Sequence, residues 1–213
     1  MTTYAHSVQG RPESEWETLA DHLSAVACRA SDLASAFGAE KFGYALGALH
    51  DIGKIDPAFK RRLDGENVRV DHSTAGAVVA VEKYGRILGK MLAFSIAGHH
   101  AGLANGSKSG GGISSLKERL SNSSAPVIPS EMDLSPPARE FTPALPMIQP
   151  GFNWEFAAPF LTRMLFSALV DADFMETERF YSSVLGYKVD RGCSVSLEDL
   201  RDSLTAHMND VAS

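Results

Sequence analysis

The sequence predicts an all-α protein. Apolar residues recur every three or four positions in six segments, a period typical of helices that bury one face. No series of segments alternates apolar and polar residues as strands do, and the sequence contains no internal repeat. The chain has 213 residues, of which 44% are hydrophobic and 22% charged, so it can form one helical domain with its own core.

The first helix is expected over residues 14–37, where large apolar residues repeat at helical spacing. Ser14 is the expected N-cap, and Glu17 three positions later would complete a capping box. Gly38 follows the last apolar residue and marks the end of the helix. His22 falls on or beside the apolar face.

Three further helices are expected before residue 100. The second covers residues 39–53 and carries His50 and Asp51 in its last turn, and a short polar and basic stretch follows it. The third, over residues 71–84, begins with the sequence Asp-His-Ser-Thr. The fourth, over residues 86–98, ends at a His-His pair. Three of these helix ends therefore carry histidine.

The second half of the chain is less regular. A glycine-rich loop at 104–112 and a short helix at 114–120 precede residues 121–150, which hold seven of the ten prolines. We expect these residues to cross the surface irregularly rather than to link two domains, since a long helix over residues 153–182 is needed to complete the core. A last amphipathic helix, at about 196–210, is expected to be peripheral.

Charge and cysteine content narrow the possible functions. The net charge is −6, so binding of nucleic acid would need a local basic patch or a partner that delivers the strand. The cluster Lys60-Arg61-Arg62 is a candidate for contacts with a DNA backbone, although such clusters are usually solvated. The two cysteines, the lack of an apolar leader and the short apolar runs predict a cytoplasmic protein without membrane association.

Histidine is the unusual component of the sequence. Six of the seven histidines lie in the first hundred residues: His6, His22, His50, His72, His99 and His100. Imidazole and carboxylate together form a donor set that transition metals favour in hydrolytic sites. These helices can converge on one cavity, and an aspartate of the long helix would complete the ring of ligands. Asp173 continues the apolar stripe of that helix and is preferred, but periodicity does not exclude Asp171.

Five motifs, in one order, give the sequence a resemblance to a known family. They are Tyr4-Ala-His-Ser7, Gly47-Ala-Leu-His-Asp-Ile-Gly-Lys54, Asp71-His-Ser-Thr-Ala-Gly-Ala77, Gly98-His-His-Ala-Gly102 and Leu169-Val-Asp-Ala-Asp173. Over roughly residues 4–185 the chain resembles the HD-domain phosphohydrolases, and most closely the HD nuclease of type I CRISPR systems. The resemblance implies an HD-type helical bundle with a metal site between its helices.

The resemblance also implies ligands for two divalent metal ions. One ion would be held by His22, His50, Asp51 and the late aspartate, the other by His72, His99 and His100, with Asp51 as the bridge. A water activated by both ions would attack a phosphodiester, and Lys54 would balance charge on the phosphoryl oxygens. His6 would lie at the rim of the site, and Ser73 would cap its helix or support a ligand. The histidine-rich set favours Mn, Fe, Co or Ni, with Mg also possible.

The activity implied is metal-dependent cleavage of single-stranded DNA in CRISPR interference, with Asp51 and Lys54 as the catalytic residues. The implied partners are single-stranded DNA, the CRISPR helicase, either fused or separate, and the crRNA-guided surveillance complex. The sequence has no GxxxxGK[ST] phosphate loop, so helicase activity is not expected in it. We expect the nuclease domain over residues 1–190 and a C-terminal helix or tether over residues 191–213.

Two other functions remain open at this stage. A phosphodiesterase or nucleotidase of the HD type would act on small nucleotides with a similar site. In cyclic-dinucleotide phosphodiesterases a Glu is expected after the His-His pair and a Gly-Tyr-Pro soon after it, whereas Ala101 and Gly102 follow the pair here. A non-catalytic docking domain is the other alternative, and the intact ligand set argues against it because buried unpaired charge is costly.

Overall fold

The computed structural model describes residues 2–107, 114–137, 153–190, 192 and 195–212. The protein is mostly helical, with 66% helix and 3% strand, and this confirms the all-α prediction. The chain divides into two units, Met1–Tyr181 and Ser182–Ser213. Among the described residues, no helix combines the length and the apolar character needed to cross a membrane.

Eight α-helices and one short hairpin are found in the described residues. The strands are β1 (Tyr4–His6) and β2 (Glu17–Thr18), and the helices are α1 (Leu19–Ser35), α2 (Glu40–Leu49), α3 (Pro57–Leu63), α4 (His72–Tyr84), α5 (Lys90–Gly98), α6 (Leu116–Ser121), α7 (Trp154–Leu185) and α8 (Leu197–Ala212). Short 3₁₀ turns lie at Glu13–Glu15, Ile52–Ile55 and Ser130–Met132, and a π-helical turn at Gly85–Gly89 joins α4 to α5.

Close packing of α1 against α2 builds the first part of the core. Two glycines of α2 make it possible, because a Cβ at Gly47 would lie 2.6 Å from the carbonyl carbon of Val26 and one at Gly43 would lie 2.9 Å from Ala34 Cβ. The buried leucines and valines of both helices fill the contact. This approach brings His22 of α1 opposite His50, the residue that follows α2 and caps its C-terminus.

The N-terminal hairpin is absent from the sequence prediction and moves the start of the first helix. Thr18, rather than Ser14, caps α1 by accepting a hydrogen bond from the backbone of Asp21 at 3.1 Å. Antiparallel pairing of Tyr4 with Thr18 holds β2 extended, so the helix cannot begin before Leu19. The expected helix over 14–37 is therefore wrong at its N-terminal end, where α1 begins at Leu19 rather than at residue 14.

Other boundaries differ for local reasons. The second helix ends at Leu49, and a 3₁₀ turn continues to Ile55. Pro57 starts α3, which was expected only as a polar stretch, and Asp56 caps it by accepting from the backbone of Ala58 at 2.8 Å. The fourth predicted helix begins at Lys90, after the π-helical turn. Parts of the expected glycine-rich loop at 104–112 and of the proline-rich crossing at 121–150 lie outside the described residues.

Candidate metal centre

Five helices contribute side chains to one polar cluster inside the first unit. The donors lie in the first turn of α1, just after the ends of α2 and α5, at the start of α4 and in the middle of α7: His22, His50, Asp51, His72, His99, His100 and Asp173. Helix ends suit this purpose, because the ends of several helices can point at one cavity. The structure brings all seven expected ligands together, and the aspartate of α7 that joins them is Asp173, whereas Asp171 is exposed.

The first group consists of His22, His50 and Asp173, whose donor atoms lie within 4.8 Å of one another. The two histidine Nε2 atoms are 3.3 Å apart. Asp173 Oδ1 lies 3.4 Å from His22 Nε2 and 3.6 Å from His50 Nε2. Two imidazoles and a carboxylate thus face one point, which is a donor set that fits a divalent transition metal.

The second group consists of Asp51, His72, His99 and His100. Asp51 Oδ1 lies 3.3 Å from His72 Nε2 and 3.4 Å from His99 Nε2. The Nε2 atoms of His72 and His100 are 2.9 Å apart. The other oxygen of the same carboxylate, Oδ2, lies 3.5 Å from His50 Nε2. Asp51 therefore stands between the two groups with one oxygen toward each.

Hydrogen bonds fix how two of the imidazoles face the centre. His50 Nδ1 lies 2.8 Å from the carbonyl oxygen of Gly47, and His99 Nδ1 lies 2.6 Å from that of Ile96. A carbonyl only accepts, so each Nδ1 carries a proton and donates it. In the neutral ring the Nε2 lone pair is then directed into the cluster, as in metal-ligating histidines.

Four buried atoms of the cluster lack hydrogen-bond partners among the described residues: His22 Nδ1, Asp51 Oδ1, His72 Nδ1 and His99 Nε2. Two of them, Asp51 Oδ1 and His99 Nε2, face each other across 3.4 Å. Buried polar atoms without partners are costly and are rare in folded proteins. A cation between these atoms would satisfy both, so the residues present fit a divalent metal.

Burial and opposite charge compete in setting the pKa values here. Burial raises the pKa of Asp51, but the Lys54 ammonium and the imidazoles hold it well below its usual range. Burial lowers the pKa of His22, yet hydrogen bonding to Asp173 and Asp51 raises it to about 10. Burial and the neighbouring imidazoles lower the pKa of His100 to about 4. Without metal at pH 7, His100 is neutral while His22 is protonated, so metal binding at His22 must displace a proton.

The cluster opens into a pocket of about 310 Å³. Its lining includes Asp51, Asp173, His6 and Lys54. Lys54 is buried, with its Nζ 2.6 Å from Asp51 Oδ2, and it donates to the backbone oxygen of Ala5 at 3.2 Å. The expected catalytic pair is therefore in direct contact at the floor of the pocket.

Four other expected site residues have different surroundings. Ser73 donates to Asp71 Oδ1 at 3.2 Å, and the cap of α4 is Asp71, which accepts from the backbone of Thr74. Lys60 of α3 pairs with Glu13 and Asp64, and neither Lys60 nor Arg61 or Arg62 lines the pocket. Their predicted contact with substrate therefore stays a prediction without support from the pocket geometry.

Two further residues near the cluster were not identified from the sequence. Glu17, expected only as a capping residue, is buried on β2, and its Oε2 lies 3.3 Å from His22 Nδ1. Arg119 on α6 donates to Thr74 Oγ1 and to the carbonyl oxygen of Ala97, joining the start of α4 to the end of α5. Neither residue belongs to one of the five motifs, and an isolated Glu or Arg gives no pattern to follow.

The helical fold and the cluster fit a protein that binds divalent metal. A comparison with family models places an HD domain over residues 19–138, which is more than half of the chain. The chain belongs to the HD domain family, whose members are metal-dependent phosphohydrolases. A comparison with curated proteins gives no match. The matched residues include His22, His50 and the His-His pair, and end before Asp173.

Proposed function

We propose that this protein is a metal-dependent nuclease that cleaves single-stranded DNA in CRISPR interference. The observation that carries the proposal is the pair of ligand groups that share Asp51 at the floor of one pocket. Two cations near one shared carboxylate are the arrangement by which phosphodiesters are hydrolysed in two-metal sites. The five sequence motifs add the narrower assignment to the CRISPR nucleases.

The roles of the residues follow from their positions. His22, His50 and Asp173 would hold one divalent ion, and His72, His99 and His100 the other, with Asp51 between them. When bound, the ions would supply Lewis acidity toward water and the phosphoryl oxygens. Lys54 lines the same pocket with its ammonium beside Asp51, where it can donate to a phosphoryl oxygen of a bound strand.

Phe174 supports a substrate that carries a base. It follows Asp173 on α7, lines the pocket and is 63% exposed. An aromatic ring at the entrance of a site can stack on a nucleobase of any sequence. Stacking needs an unpaired base, which favours a single strand over a duplex.

The proposed partners are the CRISPR helicase and the crRNA-guided surveillance complex, in the cytoplasm. The net charge of −6 gives the chain little general attraction for DNA, so another protein would have to present the strand. The helix α8 suits a tether over residues 191–213, since it exposes apolar side chains at helical spacing: Leu197, Leu200, Leu204, Met208 and Val211.

A phosphodiesterase or nucleotidase is the second candidate. The observation in its favour is the pocket volume of about 310 Å³, which suits a small nucleotide. The motifs differ from those of cyclic-dinucleotide phosphodiesterases after the His-His pair, as described above. We therefore rank it second.

A cleavage assay separates the candidates. The protein is stripped with chelator and supplied with Mn²⁺, Co²⁺, Ni²⁺, Fe²⁺ or Mg²⁺ singly, with circular and linear single-stranded DNA, duplex DNA, RNA, mononucleotides and cyclic dinucleotides as substrates. The nuclease assignment predicts metal-dependent cutting of single-stranded DNA that Asp51→Asn abolishes and Asp171→Asn does not. Turnover of nucleotides without cutting of DNA would instead identify the second candidate, and absence of both activities with bound metal would contradict hydrolysis by the isolated chain.

A further inference from the structure

The hairpin places an acidic side chain behind the first group of ligands. Glu17 is 8% exposed, and its Oε2 faces two imidazoles at once. His6 Nδ1 lies 2.7 Å from this oxygen, and His22 Nδ1 lies 3.3 Å from it. The opposite nitrogen of His22, Nε2, faces His50 and Asp173. The His22 ring therefore lies between Glu17 and the candidate metal site.

We propose that Glu17 is a positioning residue that fixes the imidazole of His22 for metal binding. His50 and His99 are oriented by backbone carbonyls, as described above, and the group that faces the Nδ1 of His22 is this carboxylate. A carboxylate that accepts from Nδ1–H fixes the tautomer and makes Nε2 a better donor. The 3.3 Å contact is longer than a charge-assisted hydrogen bond of about 2.7–2.9 Å, and we expect it to shorten when Nε2 binds an ion.

The backbone of the hairpin holds Glu17 in place. His6 on β1 is the strand partner of Glu17 on β2, and its side chain bonds the same carboxylate. The carbonyl oxygens that flank His6 are also engaged: that of Ala5 accepts from Lys54, and that of Ser7 accepts from the Tyr181 hydroxyl. The hairpin thus links α1, the Asp51–Lys54 pair and α7, which are three parts of the same site.

A separate ion bound by His6, Glu17 and His22 is the competing explanation, because these three side chains also form a compact group of donors. Such an ion would use Nδ1 of His22 while the first site uses Nε2. The ring would then have to lose both of its protons to bind an ion at each nitrogen. Support by Glu17 does not require this, so the geometry favours positioning over a third site.

Calorimetric titration of the metal-free full chain with Mn²⁺ tests the inference. We expect two ions in the wild type and in all variants. Glu17→Gln should weaken one of the two sites about 10-fold and Glu17→Ala up to about 100-fold, with the other site unchanged. Glu15→Gln is the matched control, since Glu15 lies on the preceding 3₁₀ turn and contacts Arg11. In the zinc-loaded protein, ¹⁵N NMR should show His22 protonated at Nδ1.

Three results would overturn the inference. Unchanged affinity at both sites with only a lower melting temperature would show a merely structural role. A third ion in the wild type that only the Glu17 variants lose would make Glu17 a ligand. A zinc-loaded His22 protonated at Nε2 would contradict the orientation itself. The inference rests on the metal centre, and none of these readouts depends on cleavage of a substrate.

Discussion

Replacement of Gly53 by alanine is expected to displace one ligand while leaving every ligand side chain intact. Gly53 lies in the buried 3₁₀ turn after Asp51 and packs against the first residue of α4. A Cβ there would meet the carbonyl oxygen of His72 first, and it would lie 2.7 Å from His72 Cα and 2.8 Å from the carbonyl carbon. Ordinary contact begins at 3.4 Å, so the Cα must retreat by about 0.7 Å and the carbonyl oxygen by more. Backbone atoms cannot swing aside as a flexible side chain can.

The expected loss follows from that displacement. Overpacking of this kind costs about 1–3 kcal/mol in the free energy of unfolding. A shift of about 1 Å at a reacting centre costs on the order of 100-fold in rate, so we expect Gly53→Ala to reduce the hydrolytic rate about 10- to 100-fold. In calorimetry the site that contains His72 should weaken, while the site at His22, His50 and Asp173 keeps its affinity.

Gly106→Ala is the matched control, because the nearest atom to its new Cβ is Phe94 Cζ at 3.5 Å, an ordinary contact. The assay is a urea titration of the metal-free protein for stability, followed by Mn²⁺ titration for each site. Equal weakening of both metal sites by Gly53→Ala would refute the reasoning, because the displacement would then not be local to His72. Wild-type affinity at both sites would refute it as well.

Four further predictions test the rest of the centre, three of them with variants and one with the wild type. Asp173→Asn should abolish one metal site in calorimetry, whereas Asp171→Asn, on the exposed side of α7, should leave both. The pKa of His22 is raised to about 10, so Mn²⁺ binding at pH 7.5 should release about one proton. The affinity for Mn²⁺ should therefore increase with pH. Calorimetric titrations in buffers of different ionisation enthalpy measure the proton release. Phe174→Ala should raise KM for single-stranded DNA by at least about 5-fold with kcat unchanged, and Phe174→Tyr should not, since stacking contributes about 1–3 kcal/mol per base. Lys54→Met should lower the stability of the chelated protein by at most about 3–5 kcal/mol, because it removes the closest cation from a buried carboxylate and leaves the protonated His22, 3.6 Å away, as a weaker partner. Added Mn²⁺ should reduce this difference in a urea titration.

Long helices with a clear apolar stripe could be predicted from the sequence, and short elements could not. The stripe of residues 153–182 predicts α7 closely, because packing rather than local chemistry sets its extent. The strands β1 and β2 have three and two residues, too few for alternation to be visible. Their effect is nevertheless large, since the pairing moves the start of α1 to Leu19.

The candidate site likewise contains residues that could be predicted from the sequence and residues that could not. Ligands that recur in ordered motifs could be proposed from the sequence, because several histidines at helix ends form a recognisable pattern. The choice between Asp171 and Asp173 depends on how α7 is oriented about its own axis. The apolar periodicity gives this orientation only to within about one residue. Glu17 and Arg119 could not be predicted, since each acts through contacts that only the tertiary structure creates.

The position of Lys54 suggests how the centre stays folded without metal. Asp51 is 1% exposed, and its charge requires a nearby cation. Lys54 satisfies Oδ2 at 2.6 Å, while Oδ1 has no hydrogen-bond partner among the described residues. Metal bound at both groups would neutralise the carboxylate from two sides and weaken its hold on the ammonium. The Lys54 ammonium would then be available to a phosphoryl oxygen in the pocket only when the metals are present. Binding of substrate by this ammonium would therefore depend on binding of metal.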